Sequence, residues 1–227
     1  MSGETGRNKW LEVRESMGHE TAVFGPHVSY WLRRSPRRLL HSMSYYKFAA
    51  KLIGPGKRVL EAGCAEGLGT WLLAKECGQA LGLDTDQEAV ACASSLWKSP
   101  LVDFQCRDIL ADCSGLSATP PFGAFVSFDV IEHIPGEDAE SFWRAAGSCL
   151  ARDGVAVVGT PNLEGQKYAS AVSKLGHVNV YDSRRLQAEM RRHFGHVFIF
   201  AANDEVVHTG YLPMAHYLIG VGCKKLT

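Results

Sequence analysis

The sequence is poor in the signals that mark secreted, membrane-spanning or nucleic-acid-coating chains. It has no charge excess: lysine plus arginine and aspartate plus glutamate number 24 each in 227 residues. No overall field therefore selects bulk nucleic acid or an anionic membrane. Its seven cysteines (Cys64, Cys77, Cys92, Cys106, Cys113, Cys149 and Cys223) form no C-x-x-C pair and are odd in number. That spacing excludes a disulfide framework and a thiolate zinc site. No apolar run approaches the ~20 residues that cross a bilayer, and the opening MSGETGRNKW lacks the apolar core of a leader peptide. There is no internal repeat and no low-complexity stretch. These absences lead us to expect a reducing, cytoplasmic setting with no membrane partner and little affinity for nucleic acid.

What is present suits one α/β domain. The length is within the range such sheets reach without splitting, and 46% apolar residues is ordinary for a packed core. Residues 1–35 show no long periodic stretch and read as a flexible end leading into an irregular lid. We therefore divide the chain into an arm or lid over 1–40 and a single domain over 41–227. The run R-R-S-P-R-R holds the dense positive cluster, Arg33, Arg34, Arg37 and Arg38. A solvated arm is the usual reading of such a run, with a grip on phosphate as the alternative. L-L-H-S-M-S-Y-Y-K-F-A-A-K-L-I repeats its apolar residues at three and four positions and predicts an amphipathic helix stopped at Gly54-Pro55-Gly56.

Strands and helices then alternate. Strands are expected over 57–63, 79–84, 102–108, 122–131 and 154–160, with helices over 70–77, 87–97 and 138–150. Parallel pairing through right-handed crossovers follows, hence a doubly wound, Rossmann-like sheet. After a long loop over 161–182 and a helix over 183–193, two strands over 196–204 and 214–223 lack an intervening helix and should pair antiparallel. The expected fold is α/β: a mostly parallel seven-stranded sheet with an antiparallel hairpin at its carboxyl end.

The chemistry concentrates at three strand ends. V-L-E-A-G-C-A-E-G (59–67) is a strand, an acidic residue and a small-residue turn opening a helix. Glycine permits positive φ and close approach of a ligand to the backbone, and Glu61 could accept hydrogen bonds from a cationic amine. L-G-L-D ends the next strand at Asp84, where a carboxylate can take both ribose hydroxyls of a nucleoside. C-R-D-I ends the third with Asp108 and Ile109, a pair suited to an adenine's exocyclic amine and ring face. Each acid alone could cap a helix or turn; their order at successive strand ends, where open α/β sheets bind ligands, is the stronger signal. A nicotinamide enzyme would also place an acid on ribose, but G-C-A-E-G-L-G after the first strand departs from G-x-G-x-x-G.

With these motifs the sequence resembles the class I S-adenosylmethionine-dependent methyltransferases, over roughly residues 45–223. The matching segments are E-A-G-C-A-E-G, G-L-D, R-D-I and F-D-V-I-E-H-I. The resemblance implies S-adenosylmethionine as cofactor, with Glu61, Gly63, Cys64, Ala65 and Gly67 framing its amino-acid end. Asp84 and Thr85 would serve the ribose, Asp108 and Ile109 the adenine, and Asp129, Val130 and Ile131 the floor near the sulfonium. Tyr46 would close over the cofactor carboxylate. Ala65 departs from the family, which usually has a second glycine there.

For the acceptor, histidine is suited to general-base work near neutrality. His133 follows the fourth strand beside the cofactor pocket, and His177 lies in the long loop where such enzymes contact their acceptors. Both are the candidate catalytic residues. Thr160 to Asn162 likewise resembles small-molecule methyltransferases. Asp204, Glu205 and His208 could ligate a metal, yet no closed ligand set is visible; a polar loop lining the acceptor pocket is expected, and no metal. The expected activity is methyl transfer to O or N of a small, possibly phosphorylated or nucleotide-linked, metabolite in a biosynthetic pathway. The rivals are an RNA or protein methyltransferase, which should show a broad basic face, and a non-catalytic cofactor-binding module.

Overall fold

The computed structural model describes residues 2–18, 21–111, 116 and 120–226. Cys113 lies outside them. The first difference from the sequence reading is at the amino end. Where an arm without regular structure was expected, there are two helices, α1 (Ser2–Ser16) and α2 (Pro26–Arg34), followed by α3 (Pro36–Ile53). Pro26 and Pro36 sit in the first turns of their helices, where the missing N–H costs nothing and φ is already helical. Gly54, at φ 74°, ends α3 as expected, its N–H returning to the Ala50 carbonyl.

The alternation that follows is β1 (Lys57–Ala62), α4 (Leu68–Cys77), β2 (Gly78–Asp84), α5 (Gln87–Leu96), β3 (Val102–Cys106), β4 (Phe122–Phe128), α6 (Ala139–Cys149) and β5 (Leu150–Pro161). The loop expected over 161–182 is partly helical, with a 3-10 turn (Leu163–Tyr168) and a short α7 (Ala171–Gly176) whose first turn is capped by the Ser170 hydroxyl. Then come α8 (Ser183–Met190), β6 (Phe194–Ala202), β7 (Val207–His208) and β8 (Tyr217–Lys225).

The sheet runs β3-β2-β1-β4-β5-β8-β6-β7. The first five strands are parallel; β8 pairs antiparallel with both β5 and β6. This is the doubly wound sheet with an antiparallel carboxyl end. A two-residue edge strand, β7 on β6, makes it eight-stranded rather than seven.

Helices cover both faces, so successive strand residues are buried on opposite sides. In β1, Val59 packs with Ala49, Leu73 and Val126, while Leu60 packs with Phe125, Trp143 and Leu186. Full burial of each such side chain stabilises by about 1.5–3 kcal/mol. The parallel strands all present their carboxyl ends to one edge, which sets the place of the site.

Candidate active site

Beyond β1 the chain turns sharply. Gly63 (φ 82°) and Gly67 (φ 80°) both adopt the left-handed conformation. A Cβ on Gly63 would lie 2.1 Å from Val130 Cγ2, and one on Gly67 would lie 2.6 Å from the Phe104 ring. Conformation and close approach thus both demand glycine. Ala65 between them is also left-handed, at φ 44°, the position where the resemblance led us to expect glycine. The turn is pinned to β2: the Gly63 and Cys64 N–H groups donate to the Leu83 carbonyl, and Ala65 N–H donates to Asp84 Oδ2 at 2.8 Å. Asp86 N–H donates to the other Asp84 oxygen at 3.0 Å. Each oxygen keeps a second lone pair, so the half-buried Asp84 is held in one orientation and still able to accept hydroxyls.

Glu61 is fully buried behind this turn. The Tyr46 hydroxyl donates to Oε1 at 2.6 Å, and the Thr70 hydroxyl donates to Oε2. Burial pushes the Glu61 carboxyl up to about 7; the two hydroxyl bonds oppose the rise and Asp84 adds to it.

A cavity of about 320 Å³ opens over the turn, lined by Gly63, Cys64, Ala65 and Gly67 together with Tyr46, Trp31 and Asp129. Glu61 is not in its wall. Asp84, Thr85, Asp108 and Ile109 lie at the same sheet edge outside that lining. Asp108 is exposed and accepts the Leu110 N–H at 2.8 Å, whereas Ile109 is buried in the core cluster of Leu60 and Phe125. Ile131 is a correction. The chain leaves β4 into a 3-10 turn (Ile131–His133) that rotates Ile131 into the core at 0% exposure, so it forms no part of the cavity floor. Val130 supports the floor from beneath by packing on Gly63.

The lid over this cavity is α2, and Glu66 holds it. Its carboxylate accepts the backbone N–H of His27 at 2.7 Å and of Val28 at 3.1 Å, the otherwise unpaired donors of the first helical turn.

A second cavity, about 620 Å³, adjoins the first, and Arg38, Ser42, Tyr45, Asp129 and His133 line both. Here His133 and His177, distant in sequence, come together with ring centroids 5.3 Å apart. The loop after β5 makes the meeting possible: the Gly176 carbonyl accepts from His133 Nδ1 at 2.8 Å, and Asn179 N–H donates to the Glu132 carbonyl at 3.0 Å. Asn162, from the T-P-N segment, anchors the facing wall by donating to the Leu212 and Ala215 carbonyls. Thr160 donates to Glu132 Oε2 at 3.0 Å.

Glu132 is a fully buried acid, whereas Asp129 is exposed to the cavities it lines. Desolvation within the cavity wall raises the Asp129 pKa, opposed by Arg38, Tyr217 and His133; burial and then Asp129 push Glu132 up to about 8. Burial, with His133 and Arg38 nearby, lowers that of His177. Asp129 also takes a left-handed φ of 57°, strain of the kind that collects at functional positions. Of the basic run, Arg37 and Arg38 line the second cavity, Arg38 stacking on Trp31 at 4.0 Å, and Arg33 and Arg34 line neither. Asn203, Asp204 and Glu205 line the second cavity as expected of a polar loop, but among the described residues the close group of possible metal ligands is Glu132, His133 and His177. Sequence reading quoted Glu66 and Glu132 within motifs without assigning either a task. Nothing local marks Glu66 as the cap of a helix 39 positions earlier; Glu132 carried a signal, being an acid beside a histidine at a strand end.

Known proteins share this fold. The family model for a methyltransferase domain matches residues 29–195. A ubiquinone biosynthesis O-methyltransferase of Xanthomonas campestris is 30% identical over 150 residues, covering 63% of this chain and 60% of that protein. The chain thus spans less than two thirds of that relative's length. Among solved structures, a TehB-like S-adenosylmethionine-dependent methyltransferase from Corynebacterium glutamicum superposes with a TM-score of 0.62 at 18% identity, covering 98% of this chain and 97% of that one. The N-methyltransferase NodS of Bradyrhizobium japonicum, solved with S-adenosyl-L-homocysteine, gives 0.58 at 18% identity over 79% of this chain and 87% of its own. At such identities these two likenesses speak for the fold.

Proposed function

The chain belongs to the methyltransferase-domain family, and from that premise we propose that it holds S-adenosylmethionine over the Gly63–Gly67 turn and methylates an oxygen or nitrogen of a small polar metabolite in the larger cavity. The observation that carries this reading is the common wall of the two cavities. A donor in one and an acceptor in the other meet at Asp129 and His133, and methyl transfer chiefly requires that two groups be aligned and shielded from water.

The residues fit the cofactor. Asp84, fixed by Ala65 and Asp86 N–H groups, retains lone pairs for both ribose hydroxyls. The open backbone between Gly63 and Gly67 receives the methionine portion, and Arg38 supplies a cation for its carboxylate. Asp108, with one oxygen still available, serves the adenine amine. When bound, the cofactor supplies an electrophilic methyl on a sulfonium. His133 and His177 face the acceptor, and the lowered pKa of His177 keeps that ring neutral, with one nitrogen lone pair open to the cavity near pH 7. Arg37 at the far wall favours an acceptor that carries an anionic group such as a phosphate.

Calorimetric titration of S-adenosylmethionine into wild type and Asp84→Ala tests the cofactor half. Micromolar binding that weakens at least about tenfold in the variant is expected, the loss of one charge-assisted ligand contact. Absence of binding by wild type, or equal binding by both proteins, overturns it. No helix of the described residues is long and apolar enough to cross a membrane.

A further inference from the structure

The larger cavity contains a cluster that methyl-donor binding does not use. Glu132 is 0% exposed; Oε2 accepts from Thr160 at 3.0 Å, while Oε1 is buried with no hydrogen-bond partner. A buried carboxylate oxygen left unpaired is costly and calls for a positive partner. Two imidazoles stand beside it. The Gly176 carbonyl can only accept, so His133 Nδ1 carries the proton of that 2.8 Å bond; likewise His177 Nδ1 donates to Gln166 Oε1 at 3.2 Å. A neutral ring held in this way presents Nε2 as a lone pair. An imidazole held by one nitrogen on a carbonyl, with the other left to donate electrons, is the way proteins orient histidine ligands.

The possible ligand atoms of Glu132, His133 and His177 lie within 4.8 Å of one another. Ligands on opposite sides of an ion at ~2.1 Å lie ~4.2 Å apart, so small side-chain movements close the set. We propose that Glu132, His133 and His177 form a divalent metal site, open toward the larger cavity. Two imidazole nitrogens with a carboxylate suit a first-row transition ion such as Mn²⁺, Fe²⁺, Co²⁺ or Zn²⁺ better than Mg²⁺ or Ca²⁺. Asp129, exposed in the shared wall, adds a second acidic group to the neighbourhood. A simple proton-accepting histidine would need one ring, and would leave both the second ring and the Glu132 oxygen without a purpose.

The site narrows the acceptor, on the premise that the methyl-transfer reading is right. A hydroxyl oxygen bound to the ion gives up its proton to solvent, and the resulting oxyanion is held at the shared wall. That oxygen then forms the new bond to the methyl carbon as the carbon–sulfur bond breaks, its electron pair passing to sulfur. The acceptor class is accordingly a hydroxyl compound with a neighbouring oxygen able to chelate the same ion.

The test uses the full chain, stripped with a chelator, and Mn²⁺ alone, with neither cofactor nor acceptor. Free Mn²⁺ is followed by electron paramagnetic resonance during titration of wild type, Glu132→Gln and His177→Ala. We expect a single saturable ion per chain with an affinity near micromolar, weakened by about tenfold or more in each variant. Thermal melts show whether each variant is folded; the half-buried His177 makes His177→Ala the safer of the two. No saturation up to about 1 mM ion, or the same affinity in wild type and folded His177→Ala, overturns the proposal. Because S-adenosylmethionine is absent, failure here is separable from failure of the Asp84→Ala titration.

Discussion

The backbone N–H of His27 donates to Glu66 Oε1 at 2.7 Å and so ties α2 to the turn that follows β1. One acidic side chain thereby connects the lid to the floor of the smaller cavity. The contact combines a helix cap with the favourable placement of negative charge at a helix amino terminus.

Removing that carboxylate should loosen the lid. Glu66→Ala is expected to destabilise by about 1–2 kcal/mol, the range for loss of a cap with its charge. Limited proteolysis should cut the chain near α2 faster than in wild type, and S-adenosylmethionine should bind more weakly. Unchanged cleavage and affinity would show that α2 stays in place through other contacts.

Glu61 should make stability depend on pH. Its carboxyl is raised from 4.5 to about 7 in the folded chain, so the folded state holds a proton that the unfolded state releases. The stabilisation is complete below about pH 4.5 and disappears as pH rises through 7. Over that window it amounts to up to about 3 kcal/mol. Chemical denaturation of wild type and Glu61→Gln at pH 5.5 and pH 8 should show a larger loss with rising pH in wild type. Parallel behaviour of the two proteins would assign the pH dependence elsewhere, Glu132 being the other acid raised into this range.

Ala65 is a place where the chain can be improved. An L-residue in the left-handed region is strained by about 1–2 kcal/mol, while glycine costs roughly 0.4–1 kcal/mol in the unfolded chain. Ala65→Gly should therefore raise stability by up to about 1 kcal/mol, a melting-temperature gain of ~2–4 °C for a chain of this size. A fall in melting temperature would mean that the alanine methyl makes packing contacts that outweigh the strain.

The parts of this architecture that were legible share one property: their signals are local. Short apolar runs alternating with helical segments marked β1 to β5 and the helices between them, and Asp84 was readable as the acid ending L-G-L-D. The amino-terminal helices were not, because the described part of α1 is exposed throughout and carries no apolar stripe, while α2 is nine residues long and fixed by Glu66 from far along the chain. Ile131 was misplaced for a similar reason. A position just past the end of β4 reads as part of the ligand edge, yet Ile131 lies in the core cluster of Phe125, on the 3-10 turn that follows the strand. His177 was singled out as an acceptor contact; its meeting with His133 and Glu132 depends on the Gly176 and Asn179 hydrogen bonds, which no spacing rule encodes. Asp204, Glu205 and His208 attracted attention as ligands because they are close in sequence; Asp204 and Glu205 line the larger cavity while His208 does not, and closeness in sequence is a poor guide to convergence.

The position of β8 between β5 and β6 also gives the molecule a history. The pairs β1·β2 and β2·β3 join segments close in the chain, whereas β5 must wait for β8, beyond α7, α8, β6 and β7. Distant pairings cost loop-closure entropy before their contacts are made, and they form late. Tyr217 in β8 and His216 just before it complete the wall of the larger cavity. During refolding the half of the sheet that would receive a nucleoside should therefore take shape first, and the chamber for its reaction partner last.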